Sequence, residues 1–443
     1  MTHFLNQLRK QAAKMPVAYS TLITALAAFG CYTSMYAFRK AFTAGTFEGE
    51  ALWGIDYKVW LVIAQVFGYM LSKFYGIRFI AELGHRRRGV KIVGLVGIAW
   101  GALLAFAVVP APFNIFFLFV NGLPLGVIWG LVFSYLEGRR TTELLGAVMS
   151  VSLVFASGFV KTVARILMEN VQVTEYWMPF CTGLLFVVPL HICTALLEVT
   201  PPPDARDQAL RTVREPMGPA ARKAFLLIYL PGLVLTVFAY LLFTIIRDIR
   251  DNFEVEIWAD IGVSGKYIYA QTDSAIAIAV LVLMGSLIFI RNNLKAFMLI
   301  HIMILTGCLL AGVSTWLFQQ GMIGGIGWMS IAGLGLYMVY IPYNAIFFER
   351  LLATFRHTGN IGFVMYVADA VGYLGSVAVL VIRELGLVHL SWGTFFQQAV
   401  LLSSALGGIS VAFSLWYFRQ KKINTNKRQQ QPAWEGGITY SST

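Results

Sequence analysis

The chain has 443 residues, of which 58% are hydrophobic and only 13% charged, and its formal net charge is +12. Soluble domains carry about 25% charged residues, so the composition excludes an ordinary soluble protein and indicates a membrane protein. Most basic residues lie in short stretches between apolar segments, which is a signal of membrane topology and argues against nucleic-acid binding. The four cysteines lie in apolar segments without metal-ligand spacing, so we expect free thiols and neither a metal nor another cofactor.

Twelve apolar segments are each long enough to cross a bilayer as a helix, which takes about 20 residues. The first six are predicted at 17–44, 57–82, 89–109, 112–137, 143–168 and 176–198. The second six are predicted at 223–250, 266–290, 294–318, 325–352, 358–385 and 391–419. The first segment is too long for the apolar core of a cleaved signal sequence, so we expect it to remain in the membrane.

The longest polar connector separates the two sets of six segments. Residues 199–222 contain three consecutive prolines and many charges, and are interpreted as a cytoplasmic linker. Residues 1–198 and 223–419 are then two six-helix bundles, and 420–443 is expected to be a disordered cytoplasmic tail. Basic residues collect on one side of the predicted spans and acidic residues on the other. The positive-inside rule places both termini in the cytoplasm, in a multi-pass protein of the cytoplasmic (inner) membrane.

Two arginines lie at matching depths in the first segment of each set. Arg39 follows Val17 by 22 residues, and Arg247 follows Phe225 by 22 residues. A cation inside the bilayer costs about 2.5–3.5 kcal/mol on insertion scales, so such residues are expected to face a functional cavity. The alternative is structural: each arginine reaches the outer surface along its apolar stem, or pairs with a nearby acid such as Asp248.

The two sets repeat a second feature in their fourth segments. Each contains a proline among glycines, and each ends in glutamate followed by arginine. We interpret these charged residues as salt bridges of a cytoplasmic gate: Glu137, Arg139, Glu349 and Arg350. Two parallel six-helix repeats joined by a cytoplasmic linker are typical of the major facilitator architecture, in which the substrate lies between the halves. The sequence therefore predicts an all-α fold of 12 transmembrane helices in two pseudo-symmetric bundles.

Four short motifs lie in these segments. They are Tyr36-x-x-Arg39-Lys40-x-Phe42, Gly68-Tyr69-x-x-Ser72-Lys73-Phe74, Arg247-Asp248 followed by Asp251-x-Phe253, and Gly372-Tyr373-Leu374-Gly375. Together they resemble the organophosphate:phosphate antiporter branch of the major facilitator superfamily, with glycine and tyrosine exchanged in the second motif. Where that branch usually offers a histidine in its fifth helix, this chain has Ser157. The resemblance is therefore to a divergent member, and it implies transport of a phosphorylated anion without naming the substrate.

A pair of arginines suits a phosphate or phosphonate, because each planar guanidinium offers parallel N–H donors and stays charged. We expect Arg39 and Arg247 to hold such a group between the halves. Lys73, deep in the second helix, and Lys161, in the fifth, are expected to add positive charge to the same site. Tyr36 stands one turn before Arg39 and is expected to line the cavity. Lys40, adjacent to Arg39, points about 100° away and is expected to pair elsewhere.

Asp369 lies near the middle of the eleventh predicted helix, and three interpretations of it remain open. It neutralises a cation of the cavity, it carries a proton, or it meets an ammonium group on a zwitterionic substrate.

The favoured function is secondary active transport of a small phosphorylated or phosphonate anion by alternating access, through phosphate exchange or proton coupling. The alternatives are a proton-coupled carrier of another organic anion and a receptor that binds its ligand without net transport. The sequence contains neither a P-loop nor a hydrolase motif, so no enzyme is expected. The expected partners are a small anionic substrate and the lipid bilayer, with no nucleic acid, and the protein is expected to be a monomer.

Overall fold

The computed structural model describes residues 14–82, 88–139, 141–203, 219–355, 362–384 and 390–430, and the single positions 7 and 207. Helices account for nearly all of these residues. The part of the predicted linker at 204–206 and 208–218 and the predicted tail beyond 430 lie outside the described residues.

In the described part of the N-terminal half there are seven α-helices. They are α1 (Val17–Lys40), α2 (Tyr57–Glu82), α3 (Arg88–Val108), α4 (Ile115–Leu125), α5 (Ile128–Leu136), α6 (Thr142–Asn170) and α7 (Met178–Val199). A short 3-10 helix (Ala41–Ala44) continues α1. A hairpin of two antiparallel strands, β1 (Ala51–Leu52) and β2 (Ile55–Asp56), leads into α2.

The described residues of the C-terminal half form seven more helices. They are α8 (Pro219–Asp260), α9 (Ile268–Ile288), α10 (Asn293–Gln319), α11 (Gly325–Ala345), α12 (Phe347–Phe355), α13 (Gly362–Ile382) and α14 (Trp392–Gln430). Two of them extend beyond the apolar segments predicted from the sequence. Helix α8 continues past residue 250 to Asp260 with a kink at Phe253, and α14 continues past 419 to Gln430.

The fourth and tenth predicted segments are each broken into two helices. Helix α4 ends one residue after Pro124, and α11 ends three residues after Pro342. A proline inside a helix removes one backbone hydrogen bond and clashes with the preceding turn, which weakens both helices close to where they end. The breaks therefore stand at equivalent places in the two halves.

Among the described residues, ten helical stretches are long and apolar enough to cross a membrane. Large apolar side chains also cover the outside of both halves, for example Phe116, Ile278 and Trp416, which are all more than half exposed. Such a surface is stable against lipid acyl chains, not against water. The molecule is thus a multi-pass, all-α integral membrane protein, while the count of 12 spans remains a prediction.

The two halves meet along two helix pairs, α2 with α13 and α6 with α9. The second pair approaches very closely at Gly158. A Cβ atom at that position would lie 2.2 Å from the carbonyl oxygen of Tyr269 and 2.7 Å from Cβ of Asp273. Only glycine permits this approach, which brings the middle of α6 against the first turns of α9.

Candidate functional site

A small, largely enclosed cavity lies between the two halves, and its volume is about 20 Å³. Helices α1, α2, α5 and α6 form one side of it, and α8, α11 and α13 form the other. Its wall includes five of the six predicted substrate-binding residues: Tyr36, Arg39, Lys73, Arg247 and Asp369. The structure therefore brings together residues that are up to 333 positions apart in the chain.

Arg39 lies against two aromatic rings of the N-terminal half. Its guanidinium carbon is 3.6 Å from the ring centroid of Tyr69 and 5.7 Å from that of Tyr36. A guanidinium on the face of a ring keeps its N–H groups directed outward along its edge. The Nε and Nη2 atoms of Arg39 are buried and find no hydrogen-bond acceptor among the residues that the structure describes.

Arg247 has a similar environment in the C-terminal half. Its guanidinium carbon is 4.7 Å from the ring centroid of Tyr340 and 5.6 Å from that of Tyr373. Its Nη2 donates to the Tyr373 hydroxyl at 3.3 Å and lies 3.8 Å from Oδ1 of Asp248. Its Nε is buried and has no acceptor within the described part of the chain. A buried donor without a partner costs about 1–3 kcal/mol, so an anion or water in the cavity would stabilise both arginines.

Lys73 and Asp369 form an ion pair across the two halves. The Lys73 Nζ atom lies 2.9 Å from Oδ2 of Asp369, and the Tyr240 hydroxyl donates to Oδ1 of the same carboxylate. Both oxygens of Asp369 therefore accept hydrogen bonds from protein groups. Asp369 is thus the partner of a cavity cation in this structure, and about two of the four acceptor sites on its carboxylate are in use.

The cavity wall is consequently electropositive. Of the described residues that line it, Arg39, Lys73 and Arg247 are cations and Asp369 is the one carboxylate. A small anion is the ligand that such a wall favours.

Lys161 lies outside this cavity, which corrects its predicted place among the substrate ligands. Its Nζ is 2.7 Å from Oε2 of Glu254 and 3.5 Å from Oδ1 of Asp251, and it donates to the Ser157 hydroxyl at 2.7 Å. The lysine is fully buried, and α8 supplies two carboxylates to it. Its charge is thus used in binding the two halves to each other.

Lys161 belongs to a larger group of charges between the halves, which we name the interface cluster: Lys40, Lys58, Lys161, Asp251, Glu254 and Glu256. Lys40 lies 3.2 Å from Asp251 and donates to Asn252 at 2.6 Å, and Lys58 lies 2.5 Å from Glu256. The three lysines belong to the N-terminal half, and the three carboxylates belong to α8. As expected, Lys40 pairs away from the cavity. The cluster lies at the ends of α1 and α8 that the topology prediction places outside the cell.

Partners of two predicted gate residues, Arg350 and Arg139, are seen in the structure. Arg350 lies 2.7 Å from Glu143 of the other half and donates to Asn293 at 2.7 Å. Arg139 donates to the backbone carbonyls of Tyr135, at 3.2 Å, and Pro201. Glu143 of α6 therefore joins Arg350 to the N-terminal half.

Sequence reasoning missed several residues of the cavity wall. Tyr69 and Tyr373 occur in the motifs, but a motif does not show that their rings lie against the arginines. Trp129 and Ser150 also line the cavity, and no sequence signal distinguishes them from packing residues. Within the described ranges, no group of three or more His, Cys, Asp or Glu side chains is placed to hold a metal ion.

Comparisons with known proteins address the fold. The model of a family of unknown function, DUF5690, matches residues 41–421. The curated proteins contain no match to the chain. The crystal structure of a D-xylose-proton symporter is similar, with a TM-score of 0.55 and 11% sequence identity over 90% of this chain and 97% of that one. This likeness shows the major facilitator fold, and it does not distinguish the antiporter branch from other branches.

Proposed function

We propose that this chain, which belongs to the DUF5690 family of unknown function, is a secondary active transporter of a small phosphorylated or phosphonate organic anion. Transport proceeds by alternating access across the cytoplasmic membrane, by exchange with phosphate or by coupling to protons. One observation carries this proposal. Arg39 and Arg247 come from opposite halves, line one cavity, and keep buried N–H donors that have no partner in the described part of the chain.

A phosphoryl or phosphonyl group fits these donors better than a neutral ligand does. It carries one or two negative charges and three acceptor oxygens, so it can accept hydrogen bonds from two guanidinium groups at once. Tyr69 and Tyr340 hold the two guanidinium planes, which reduces the entropy lost on binding. Lys73, paired with Asp369, adds a third cation at the wall, and Tyr36 lies beside Arg39.

The position of the arginines also supports alternating access. An anion held by one residue from each half draws the halves together, whereas an empty cavity leaves two cations without an anion between them. Ion pairs join the halves on both sides of the cavity, through the interface cluster on one side and Glu143–Arg350 on the other. Breaking one set while keeping the other would open the cavity to one side only.

Two other functions fit parts of the same evidence. A proton-coupled carrier of a carboxylate would also use a cationic cavity, and competition by inorganic phosphate separates it from the favoured function. A receptor with this fold would bind the anion without moving it. As further parts of the proposal, the protein acts as a monomer in the cytoplasmic membrane with both termini in the cytoplasm, and it is not an enzyme.

Counterflow of labelled inorganic phosphate in proteoliposomes tests the proposal. Vesicles loaded with unlabelled phosphate should accumulate the label, and external phosphate esters and phosphonates should compete. A receptor would bind phosphate in detergent but show no counterflow, and a carboxylate carrier would show neither. Either result would refute phosphate-type transport.

A further inference from the structure

One buried carboxylate of α8 differs from its neighbours in how its charge is compensated. Asp248 directly follows Arg247, it is 1% exposed, and neither of its carboxylate oxygens has a hydrogen-bond partner among the described residues. Two cations lie near it, beyond hydrogen-bond distance. Its Oδ1 atom is 3.8 Å from Nη2 of Arg247 and 4.0 Å from Nζ of Lys40. Because a buried carboxylate is costly without hydrogen bonds, Asp248 stays ionised only through the charge of such cations.

Five other carboxylates at the cavity and between the halves each accept a hydrogen bond from a side chain. The donors are Ser157 for Asp251, Lys161 for Glu254, Lys58 for Glu256, Arg250 for Asp273, and both Lys73 and Tyr240 for Asp369. Hydrogen bonds to the ionised form favour that form over the protonated one. A proton on Asp248 disturbs no side-chain hydrogen bond of the described residues, whereas a proton on any of the five competes with one.

The other cations on this side of the cavity are already matched by carboxylates. A continuous chain of ion pairs runs between the halves, with N–O distances from 2.7 to 3.5 Å, in the order Lys40, Asp251, Lys161, Glu254, Arg250 and Asp273. It contains three cations and three carboxylates, so it is neutral without Asp248. Arg247 is therefore the cation that remains to balance Asp248.

The charged and titratable groups around the pair of Arg247 and Asp248 come from the helices packed against it. They are Tyr36 and Lys40 of α1, Lys161 of α6, Asp251 of α8 itself, Tyr340 of α11 and Tyr373 of α13. The tyrosines that contact Arg247 are uncharged near neutral pH, and Asp251 is matched within the chain of ion pairs. An anion in the cavity and Asp248 are then the two negative charges that compete for Arg247.

Binding of a doubly charged anion changes this balance. A phosphoryl group carries about two negative charges at neutral pH, which the two cavity arginines neutralise. Asp248 then loses Arg247 as its counter-ion and becomes a buried carboxylate with no cation of its own. A buried carboxylate without a counter-ion is neutralised by taking up a proton.

We propose that Asp248 is the proton-coupling residue of the transporter, and that one proton enters with each doubly charged phosphoryl or phosphonyl group. As the anion takes Arg247, a proton from the water on that side forms an O–H bond with a carboxylate oxygen of Asp248. When the anion leaves on the other side, Arg247 again faces Asp248 and the proton dissociates into the water there. This inference rests on the transport function proposed above, and it selects coupling to protons over obligatory exchange with phosphate.

The test is uptake of labelled inorganic phosphate into proteoliposomes with an acidic outside and an alkaline lumen, compared with counterflow at equal pH. The natural protein should accumulate the label against its concentration gradient. Asp248→Asn cannot take up the proton, so it should lose this accumulation while counterflow persists. Asp260→Asn is the matched control on the same helix, because that carboxylate accepts a hydrogen bond from the backbone N–H of Gly393 at 2.6 Å, and accumulation should persist.

A carrier of singly charged phosphate without a proton site would also respond to the pH gradient. It would respond equally in Asp248→Asn, so the variant separates that mechanism from the one proposed.

Thermal unfolding in detergent shows whether Asp248→Asn folds. If it does not, Asp248→Glu replaces it, since glutamate keeps a proton site but changes its distance from Arg247. The pH at which phosphate uptake is half-maximal should then shift, and an unchanged pH profile would overturn the role of Asp248.

The outcomes separate the two proposals. If the natural protein shows no phosphate counterflow, the transport function is refuted, and this inference with it. If counterflow is present but the pH gradient drives no accumulation, or drives it equally in Asp248→Asn, the proton-coupling role is refuted while transport stands.

Discussion

Lys73 of α2 and Asp369 of α13 form a buried ion pair of 2.9 Å that joins the two halves of the molecule at the wall of the cavity. Tyr240 donates to the second oxygen of the carboxylate, so the pair is part of a short hydrogen-bonded chain. A buried pair of this kind contributes little net stability compared with apolar residues, but loss of one member leaves a buried charge without its counter-ion.

We therefore predict that Asp369→Asn destabilises the protein strongly, because it removes the carboxylate that faces Lys73. The free energy of unfolding should fall by about 3–5 kcal/mol, measured by denaturant unfolding in detergent micelles. The double variant Lys73→Gln/Asp369→Asn should recover part of the loss. A single variant as stable as the natural protein would show that the pair is open to water or absent.

Arg39→Lys and Arg247→Lys should each abolish phosphate counterflow while the protein stays folded. A lysine keeps the charge, but it lacks the planar group that lies on Tyr69 or Tyr340 while donating from its edge. Arg165→Lys is a suitable control, since Arg165 of α6 is partly exposed and pairs with Glu169 at 3.3 Å outside the cavity. Counterflow retained in either cavity variant would contradict the role of the pair.

Gly158→Leu should separate α6 from α9 at the contact between the halves. The new side chain has no room beside the Tyr269 carbonyl, so the helices must move apart. We expect faster hydrogen–deuterium exchange of backbone amides around residues 157–162 and 269–273. Gly97→Leu on α3, where a Cβ atom meets nothing within 4 Å, should leave this exchange unchanged. Equal exchange in both variants would mean that the close contact does not exist.

Swapping the charges of Lys58 and Glu256 in a double variant should be less harmful than reversing the charge of one of the two residues. The Lys58 Nζ atom lies 2.5 Å from Oε1 of Glu256, so Lys58→Glu places a second carboxylate against Glu256 and should lower both the unfolding temperature and counterflow. Combining it with Glu256→Lys should restore part of both quantities. If the double variant is no better than the single one, these residues do not face each other across the halves.

The helices of the fold could be predicted well from the sequence. An apolar segment of about 20 residues usually crosses a bilayer as an α-helix, because the helix satisfies all of its backbone hydrogen bonds internally. Pro124 and Pro342 indicated the repeat, but one continuous helix was predicted through each of them, so the two breaks were not predicted. The ends of α8 and α14 were harder to predict, since both continue as polar or charged helix beyond the apolar segment. Hydropathy identifies the part of a helix that lies in lipid, but it does not identify the residue at which the helix ends.

The candidate site could be predicted only in part. Matching depth in two repeats was enough to associate Arg39 with Arg247. The sequence was not enough to predict the partners of Lys161. Helical periodicity indicates which face of a helix a residue lies on, but not which residues of other helices lie opposite that face. The carboxylates of Asp251 and Glu254 are about ninety positions away in the chain and decide that lysine's role. Pairs such as Glu143–Arg350 depend in the same way on tertiary contacts.

The interface cluster has a consequence for assembly of the molecule. Its lysines all come from one half and its carboxylates all come from the other. Two copies of the N-terminal half placed face to face would bring lysine against lysine, and two copies of the C-terminal half would bring carboxylate against carboxylate. This division of charge favours contact between unlike halves over contact between like ones.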